Sequence, residues 1–259
     1  MGFSASWLAL REPADHAARD EGLLRAAVQA AGADPVIVDL GSGTGSTLRA
    51  FAPHLGRPAR WRLVDHDPTL LAHAAASADG LATTHQIDLR DLEALPLDQA
   101  SLVTASALLD LCSEAWVRGL AQRLAARSLP FYAALNYDGV MHWSPPALAD
   151  ADVTQAFNRH QRGDKGFGPA LGPDAASAIA DIFGAAGFTV LRAQSPWRLG
   201  PEDAALQREL LAGIAQAAAE AGAEAAPDWL RARLDALPQA RCHIGHLDIL
   251  ALPPDQGAR

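Results

Sequence analysis

The residues with the most evident chemistry are an acid and the glycine loop that follows it. Asp39 precedes Gly41, Gly43 and Gly45, and an apolar run comes just before them. Because glycine has no Cβ, such a loop can turn sharply and let a ligand approach its backbone. A helix after the loop would add free N–H groups and positive partial charge. The dinucleotide motif G-x-G-x-x-G would need its last glycine at Ser46, so the alternating spacing indicates another ligand.

Two more acids follow at the ends of predicted strands. Asp65 closes the second strand, and Asp88 closes the third and is followed by Leu89. A carboxylate accepts two hydrogen bonds at once, which suits a pair of neighbouring hydroxyls. The alternatives are that Asp65 only caps the helix that Pro68 opens, and that Asp91 takes the place of Asp88.

These residues require an alternation of strands and helices to bring them together. Strands are predicted at about 35–40, 61–65, 83–88, 101–109, 130–136, 188–193 and 242–252. Helices are predicted at about 13–31, after Pro68, through 116–124, and at about 174–186, 201–221 and 227–237. This order predicts an α/β fold, a Rossmann-like, mostly parallel, twisted sheet of about seven strands. Helices should cover both faces, and the last strand should be antiparallel.

The motif order resembles that of the class I S-adenosylmethionine-dependent methyltransferases, small-molecule type. The resemblance covers 36–136 by motif and the remainder by element order. It implies S-adenosylmethionine as the cofactor, with Asp65 bonding the ribose hydroxyls and Asp88 meeting the adenine amino group. Segment 106–110 would then line the methionine part and the reaction centre. The resemblance implies these cofactor-binding residues: Asp39, Gly41, Ser42, Gly43, Gly45, Asp65, His66, Asp88, Leu89 and Ser106. Arg11 is a further candidate from its own chemistry, since a guanidinium binds a carboxylate in a fork, either that of the cofactor's methionine end or that of the substrate. The alternative is that Arg11 belongs to a solvated amphipathic helix.

The methyl acceptor should lie over the carboxyl ends of the strands, beneath two covering segments. One is an N-terminal helical cover at 1–31, and the other is a lid insert at 137–173, rich in Gly, His and Trp. All of 1–259 is expected to be one domain. Candidate substrate-binding residues are Trp7, Asn136, Tyr137, Trp143, Gln161 and Phe167. Lys165, the only lysine, is expected to be a solvated loop residue, and His243 and His246 to be structural.

An acceptor hydroxyl or ammonium must lose a proton, and the candidates for the base are His142, His160 and Asp110. A tertiary amine or a thiolate would need no base. The same motifs also fit an enzyme that cyclises the methionine part of the cofactor to an azetidine amino acid and releases methylthioadenosine. A non-catalytic binding protein or a nicotinamide-dependent oxidoreductase fits the sequence less well.

Composition limits the partners. The net charge of −9 disfavours nucleic acid, and no apolar run reaches the roughly 18 residues of a membrane span. Two cysteines without a CxxC pair predict neither a disulfide framework nor a zinc site, so no metal is expected. We expect a cytoplasmic, bacterial protein acting on a small molecule. The Ala- and Arg-rich composition is typical of a GC-rich genome, and the first residues lack the basic start and apolar run that a secretory signal would have, so none is expected. The oligomeric state stays open.

Overall fold

The computed structural model describes residues 3–254, which form eight strands and nine α-helices. The strands are β1 (Val36–Leu40), β2 (Arg60–Asp65), β3 (Ala82–Gln86), β4 (Leu102–Ser106), β5 (Phe131–Ser144), β6 (Thr189–Gln194), β7 (Trp197–Leu199) and β8 (Arg241–Leu252). The helices are α1 (Ala5–Ala18), α2 (Glu21–Ala31), α3 (Ser46–Phe51), α4 (Pro68–Ala76), α5 (Glu114–Ala125), α6 (Asp150–Gln161), α7 (Ala175–Ala185), α8 (Ala204–Glu220) and α9 (Ala226–Ala236).

One sheet runs through the molecule in the order β3-β2-β1-β4-β5-β8-β6, with the short β7 also paired to β8. The first five strands are parallel, and β8 is antiparallel to β5, β6 and β7. The predicted Rossmann-like α/β sheet with an antiparallel last strand is therefore confirmed. The chain order reverses between β1 and β4, and such a switch point is where sheets of this kind open a crevice for ligands.

Two hydrophobic cores cover the two faces of the sheet. On one face α2, α3 and α4 contribute residues such as Leu24, Phe51 and Leu71, and on the other α5 and α7 contribute Leu120 and Phe183. Strands β1 and β4 have no exposed residue, and their apolar side chains point into both cores. This is why the sequence shows them as continuous apolar runs rather than as alternating patterns.

A third core lies beyond the sheet, where β5 and β8 extend past their neighbours. The prediction ended the fifth strand at Asn136, but the strand continues to Ser144 with two irregularities in its pairing to β8. Helices α6, α8 and α9 pack on this extension, with Trp143, Trp197 and Trp229 among the buried residues. The segment 137–173 therefore contributes a strand extension and a helix besides a loop.

The predicted N-terminal helix is also divided in two. Arg19 has extended backbone angles, and the Asp20 side chain accepts a hydrogen bond from the Leu23 backbone N–H at 2.8 Å, which starts α2. An N-cap of this kind begins a new helix wherever the chain must turn. Among residues 3–254, none of the helices is long and apolar enough to cross a membrane.

Candidate functional site

The glycine loop between β1 and α3 adopts backbone angles that favour glycine. Gly41, Gly43 and Gly45 have φ values of +64°, +52° and +85°. A Cβ on Gly43 would lie 3.1 Å from Leu8 Cδ1 of α1, so the loop is also closely covered. The Ser42 backbone N–H donates to the Val64 carbonyl at 3.0 Å, which holds the loop against the end of β2.

Asp65 lies at the end of β2 and is buried beside this loop. One of its carboxylate oxygens accepts the Gly43 backbone N–H at 2.9 Å, and the other accepts the Asp67 backbone N–H at 3.0 Å. Asp67, rather than Asp65, caps α4. The carboxylate therefore ties the glycine loop to the second strand while retaining lone pairs for further donors.

Asp39 lies beneath the loop and is almost fully buried. Its Oδ1 accepts the Thr104 hydroxyl at 2.7 Å, whereas Oδ2 has no hydrogen-bond partner among the described residues. Burial raises the pKa of Asp39 to about 7, because removing the carboxylate from water disfavours its charged form. The buried Ser42 hydroxyl is likewise unpartnered within residues 3–254. Two polar groups at the loop thus lack the partners that buried groups normally have.

Helix α1 covers the loop and is attached to it by side chains. Glu12 accepts two hydrogen bonds of 2.6 Å from the Arg49 guanidinium of α3. His16 Nε2 lies 3.1 Å from both the hydroxyl and the carbonyl of Ser46. Hydrogen bonding to Arg49 lowers the pKa of Glu12, so this clamp is ionic at neutral pH.

Farther along α1, Arg11 is held by an acid and an aromatic ring. Its guanidinium donates to both oxygens of Asp15, at 2.9 and 3.1 Å, and lies 4.9 Å from the Trp197 ring centroid. Asp15 also accepts the Trp197 indole N–H at 2.9 Å, which joins α1 to β7. Arg11 is therefore a fixed cation rather than a mobile surface side chain.

These groups surround one cavity of about 430 Å³ at the carboxyl ends of β1, β2 and β4. Its lining residues are Phe3, Leu8, Arg11, Asp15, Gly41, Ser42, Gly43, Thr44, Ser46, Thr47, Asp65, His66, Leu70, Asp88, Leu89, Arg90, Ser106, Ala107, Leu108, Leu111, Lys165, Gly166 and Phe167. Most of the residues that the motif order predicted for cofactor binding thus share one cavity. Asp39 and Gly45 do not line the cavity themselves but lie directly behind residues that do.

At one end of the cavity, Asp88 lies two residues after β3 ends. Both of its carboxylate oxygens accept hydrogen bonds from Arg90, which lowers the pKa of Asp88 to about 2. Leu89 is buried, and its carbonyl accepts the Trp116 indole N–H at 2.7 Å. Asp91 caps the short helix that follows.

Arg19, between α1 and α2, was not singled out from the sequence. Its guanidinium is buried and donates to the Ser106 hydroxyl at 2.9 Å, yet Nε and Nη1 have no partner among the described residues. No sequence motif marks it, because only the fold brings α1 against the end of β4.

The other end of the cavity is formed by loop 162–171, the segment between α6 and the turn before α7. Lys165, Gly166 and Phe167 of this loop line the cavity, and the Phe167 ring packs against Trp116 at 5.5 Å. Asp110 lies close by on the turn after β4, and its Oδ1 is buried without a partner within residues 3–254. Burial raises the pKa of Asp110 to about 6.

His160 contacts Lys165 from α6. Its Nδ1 lies 3.2 Å from Lys165 Nζ, and its Nε2 lies 3.0 Å from a carboxylate oxygen of Glu220 on α8. His160 therefore stands one residue back from the cavity. Lys165, expected to be a solvated loop residue, is instead half buried in the cavity wall.

The remaining candidates lie outside the described lining of this cavity. Asn136 donates to the carbonyls of Ala133 and Leu247 at the strand irregularity, and the Tyr137 hydroxyl donates to Asn158. His142 is exposed on the strand extension, with its ring 5.7 Å from that of His243. Trp7, Trp143 and Gln161 are also outside, with Trp7 and Trp143 packed in or against the third core. Tyr137, His142 and Trp143 are separated from the cavity because the chain past Asn136 continues the sheet. Trp7 lies on α1 and Gln161 at the end of α6.

The described residues contain no group of three or more His, Cys, Asp and Glu side chains placed to hold a metal. Both cysteines, Cys112 and Cys242, are buried thiols.

Comparisons with known proteins agree with this geometry. Residues 37–130 match the model of a methyltransferase domain family. No curated protein matches the chain. A similar solved structure is the YcgJ protein from Bacillus subtilis, with 16% identity, a TM-score of 0.52, and coverage of 90% of this chain and 99% of that one.

Two further solved structures share the fold. A cyclopropane synthase from Mycobacterium tuberculosis has 13% identity, a TM-score of 0.52, and coverage of 96% of this chain and 94% of that one. A candidate methyltransferase from Bacillus halodurans has 14% identity, a TM-score of 0.52, and coverage of 89% and 98%. The segment that matches the methyltransferase domain model runs from β1 to the residue before β5, so it holds the glycine loop, Asp65 and Asp88.

Proposed function

We propose that this protein transfers a methyl group from S-adenosylmethionine to the nitrogen or oxygen of a small-molecule acceptor. The observation that carries the proposal is that the glycine loop, Asp65 and Asp88 meet around one cavity at the carboxyl ends of the strands. Each of these groups would bind a different part of the cofactor.

The residues present suit this cofactor. Asp65 would accept hydrogen bonds from the ribose hydroxyls, and the ionised Asp88 would accept one from the adenine amino group. The unpartnered Ser42 hydroxyl lines the cavity, where a zwitterionic methionine end would supply a hydrogen-bond partner. Asp39 would support the loop from behind the lining. A Cβ on Gly43 would lie 3.1 Å from Leu8 Cδ1, so a side chain there would have to displace Leu8 from the cavity wall.

The acceptor would enter at the opposite end of the cavity, between Arg11, Phe167 and Lys165. When bound, S-adenosylmethionine supplies a methyl carbon that the acceptor's electron pair attacks, while the carbon–sulfur pair stays on sulfur. The chain's own contribution is to orient the acceptor in line and to keep water out. A cavity of this size with mixed polar and apolar walls favours a small acceptor over a polymer.

The first test is calorimetric titration with S-adenosylmethionine and with S-adenosylhomocysteine. We expect micromolar binding of both, followed by methylation of at least one member of a panel of primary amines, phenols and hydroxy acids, detected by mass spectrometry. No heat from either ligand with folded protein would overturn the proposal. Methylthioadenosine formed without an acceptor would instead indicate the cyclising reaction.

A further inference from the structure

Three polar side chains form a hydrogen-bonded row from the cavity wall to the surface. Lys165 lines the cavity, and its Nζ lies 3.2 Å from His160 Nδ1. His160 Nε2 lies 3.0 Å from Glu220 Oε2, and the Glu220 side chain is 51% exposed. The row therefore joins the acceptor end of the cavity to solvent through a single histidine.

The protonation state of Lys165 decides which histidine nitrogen carries a proton. A protonated Lys165 can only donate, so Nδ1 of His160 then accepts and its Nε2–H donates to Glu220. Gln216 donates to the other Glu220 oxygen at 3.0 Å, which holds the carboxylate toward the histidine. A neutral amine at Lys165 still has an N–H for His160 and keeps its lone pair for a proton from the acceptor.

We infer that Lys165 is the base that takes the proton from the methyl acceptor, and that His160 and Glu220 position it and pass that proton to solvent. The inference rests on the proposed function and restricts the acceptor to a hydroxyl or an ammonium nitrogen that carries a proton. The acceptor's O–H or N–H bond breaks, and the proton bonds to Nζ. Lys165 then gives a proton to His160 Nδ1, while the Nε2 proton moves to Glu220 and on to water.

The charges around Lys165 are consistent with this role. Partial burial lowers the pKa of Lys165, and this effect exceeds the opposing attraction of Glu220 and Asp110. Arg11 of α1 lines the same cavity as a second cation. Asp164 of the same loop is engaged by the backbone N–H groups of Gly166 and Gly168. The neutral, basic form of Lys165 is therefore reached at a lower pH than for a solvated lysine, and turnover should rise through that pH.

The first test uses the fact that Lys165 is the only lysine in the chain. Protein labelled with ¹³C-lysine gives one lysine spin system, whose ε-carbon shift reports the pKa directly, with and without S-adenosylhomocysteine. We expect a pKa below the ordinary value of about 10.4. Glu220→Gln should lower it further, because an attracting anion is lost. Glu224→Gln, an exposed carboxylate in the turn after α8, is the matched control and should leave it unchanged.

Nitrogen-15 spectra should also show His160 as the Nε2–H tautomer, with the signal assigned by its loss in His160→Gln. A lysine that titrates at its ordinary pKa, or identical titration curves for Glu220→Gln and Glu224→Gln, would overturn the relay. These results do not depend on turnover. Failure of S-adenosylhomocysteine to bind would overturn the proposed function, and with it the role of Lys165 as a base, whereas an ordinary lysine pKa with normal binding would overturn the role of Lys165 alone.

The rate of methylation of an amine or phenol that the acceptor panel identifies distinguishes a base at position 165 from a cation that only binds the acceptor. Lys165→Met should lower kcat about 100-fold or more with little change in KM. Lys165→Arg keeps the charge but cannot accept a proton at neutral pH, so it should be as impaired as Lys165→Met. Retained turnover in Lys165→Arg would show that position 165 supplies only charge, and would overturn the assignment.

Discussion

At the scale of single residues, Asp65 is the acid on which the cofactor assignment depends most. Its carboxylate already receives two backbone N–H groups and faces the cavity. Asp65→Ala should lower the affinity for S-adenosylhomocysteine about 10- to 100-fold, because hydrogen bonds to a charged group contribute about 1.5–3 kcal/mol each. Calorimetry measures this loss, with the exposed Asp34→Ala as the control. Unchanged binding by Asp65→Ala would show that the ribose is not held here.

Gly43 offers a second prediction, because its conformation and its covering by Leu8 can be separated. Gly43→Ala places a Cβ 3.1 Å from Leu8 and strains a φ of +52°, whereas Gly32→Ala strains a φ of +79° with nothing within 4 Å. Each should lose about 1–3 kcal/mol of stability, because a residue with a Cβ is strained at these positive φ values. Only Gly43→Ala should also weaken cofactor binding. Adding Leu8→Ala to Gly43→Ala should partly restore the binding. Equal binding by the two variants would contradict a steric role for this contact.

The sequence predicts residues at this scale where spacing along one chain segment decides the chemistry. Gly41, Gly43 and Asp65 lie at strand ends, and parallel strands bring their ends together. Lys165 and Arg19 could not be found in this way. Their roles come from burial and from contacts between elements distant in the sequence, such as Arg19 with Ser106. His142 lies outside this cavity because the chain past Asn136 continues as strand β5 and leaves its side chain exposed.

At the scale of elements, α1 is a cover attached by charge. The Glu12–Arg49 pair joins it to α3, and the bond to Arg49 lowers the pKa of Glu12. Glu12→Gln should increase amide hydrogen exchange in α1 and lower cofactor affinity, since Leu8 and Arg11 of α1 line the cavity. Glu21→Gln, which removes an exposed ion pair with Arg25, should change neither. Unaltered exchange in Glu12→Gln would mean that apolar packing alone holds α1.

The same clamp should respond to acid. A depressed pKa in the folded state means that the stabilisation is fully present above the ordinary Glu pKa of 4.5. It is lost as the pH falls through the lower, folded pKa. The exchange protection of α1 should therefore decline below about pH 4.5 in the wild type and show no such step in Glu12→Gln.

Elements beyond the motif region were predicted less well than those within it. Apolar runs identify β1 and β4, because both faces of these strands are buried. The break between α1 and α2 was missed, although Asp20 is a suitable N-cap, because helical spacing continues across it. Strand β7 is only three residues long, and its position depends on pairing with β8 rather than on its own pattern.

At the scale of the whole molecule, a buried ion pair joins the helices of the third core. Arg233 of α9 is 3% exposed and donates to Asp150 of α6 and to the Pro145 carbonyl. Trp229 donates to the same acid at 2.7 Å. Asp150→Ala should cost about 3 kcal/mol or more in the free energy of unfolding, because it leaves a buried guanidinium without its counter-charge. Urea denaturation measures this, and Asp228→Ala, from an exposed pair with Arg231, should cost far less. If both variants lost the same free energy of unfolding, the stability of the third core would come from its apolar contacts and not from this ion pair.

The two long strands β5 and β8 contribute residues to all three hydrophobic cores. The first half of β5 and the last half of β8 pair with each other in the main sheet, beneath the cofactor cavity. The last half of β5 and the first half of β8 contribute residues to the third core. If the third core had strands of its own, it could unfold while the main sheet stayed folded. Because the two share β5 and β8, neither can lose its backbone pairing without the other. We therefore expect one cooperative unfolding transition, in which tryptophan fluorescence and circular dichroism change at the same urea concentration. Trp143, Trp197 and Trp229 of the third core and Trp61 and Trp116 of the other two cores all contribute to that fluorescence. A substitution that weakens the third core would then lower the stability of the cofactor cavity by the same amount.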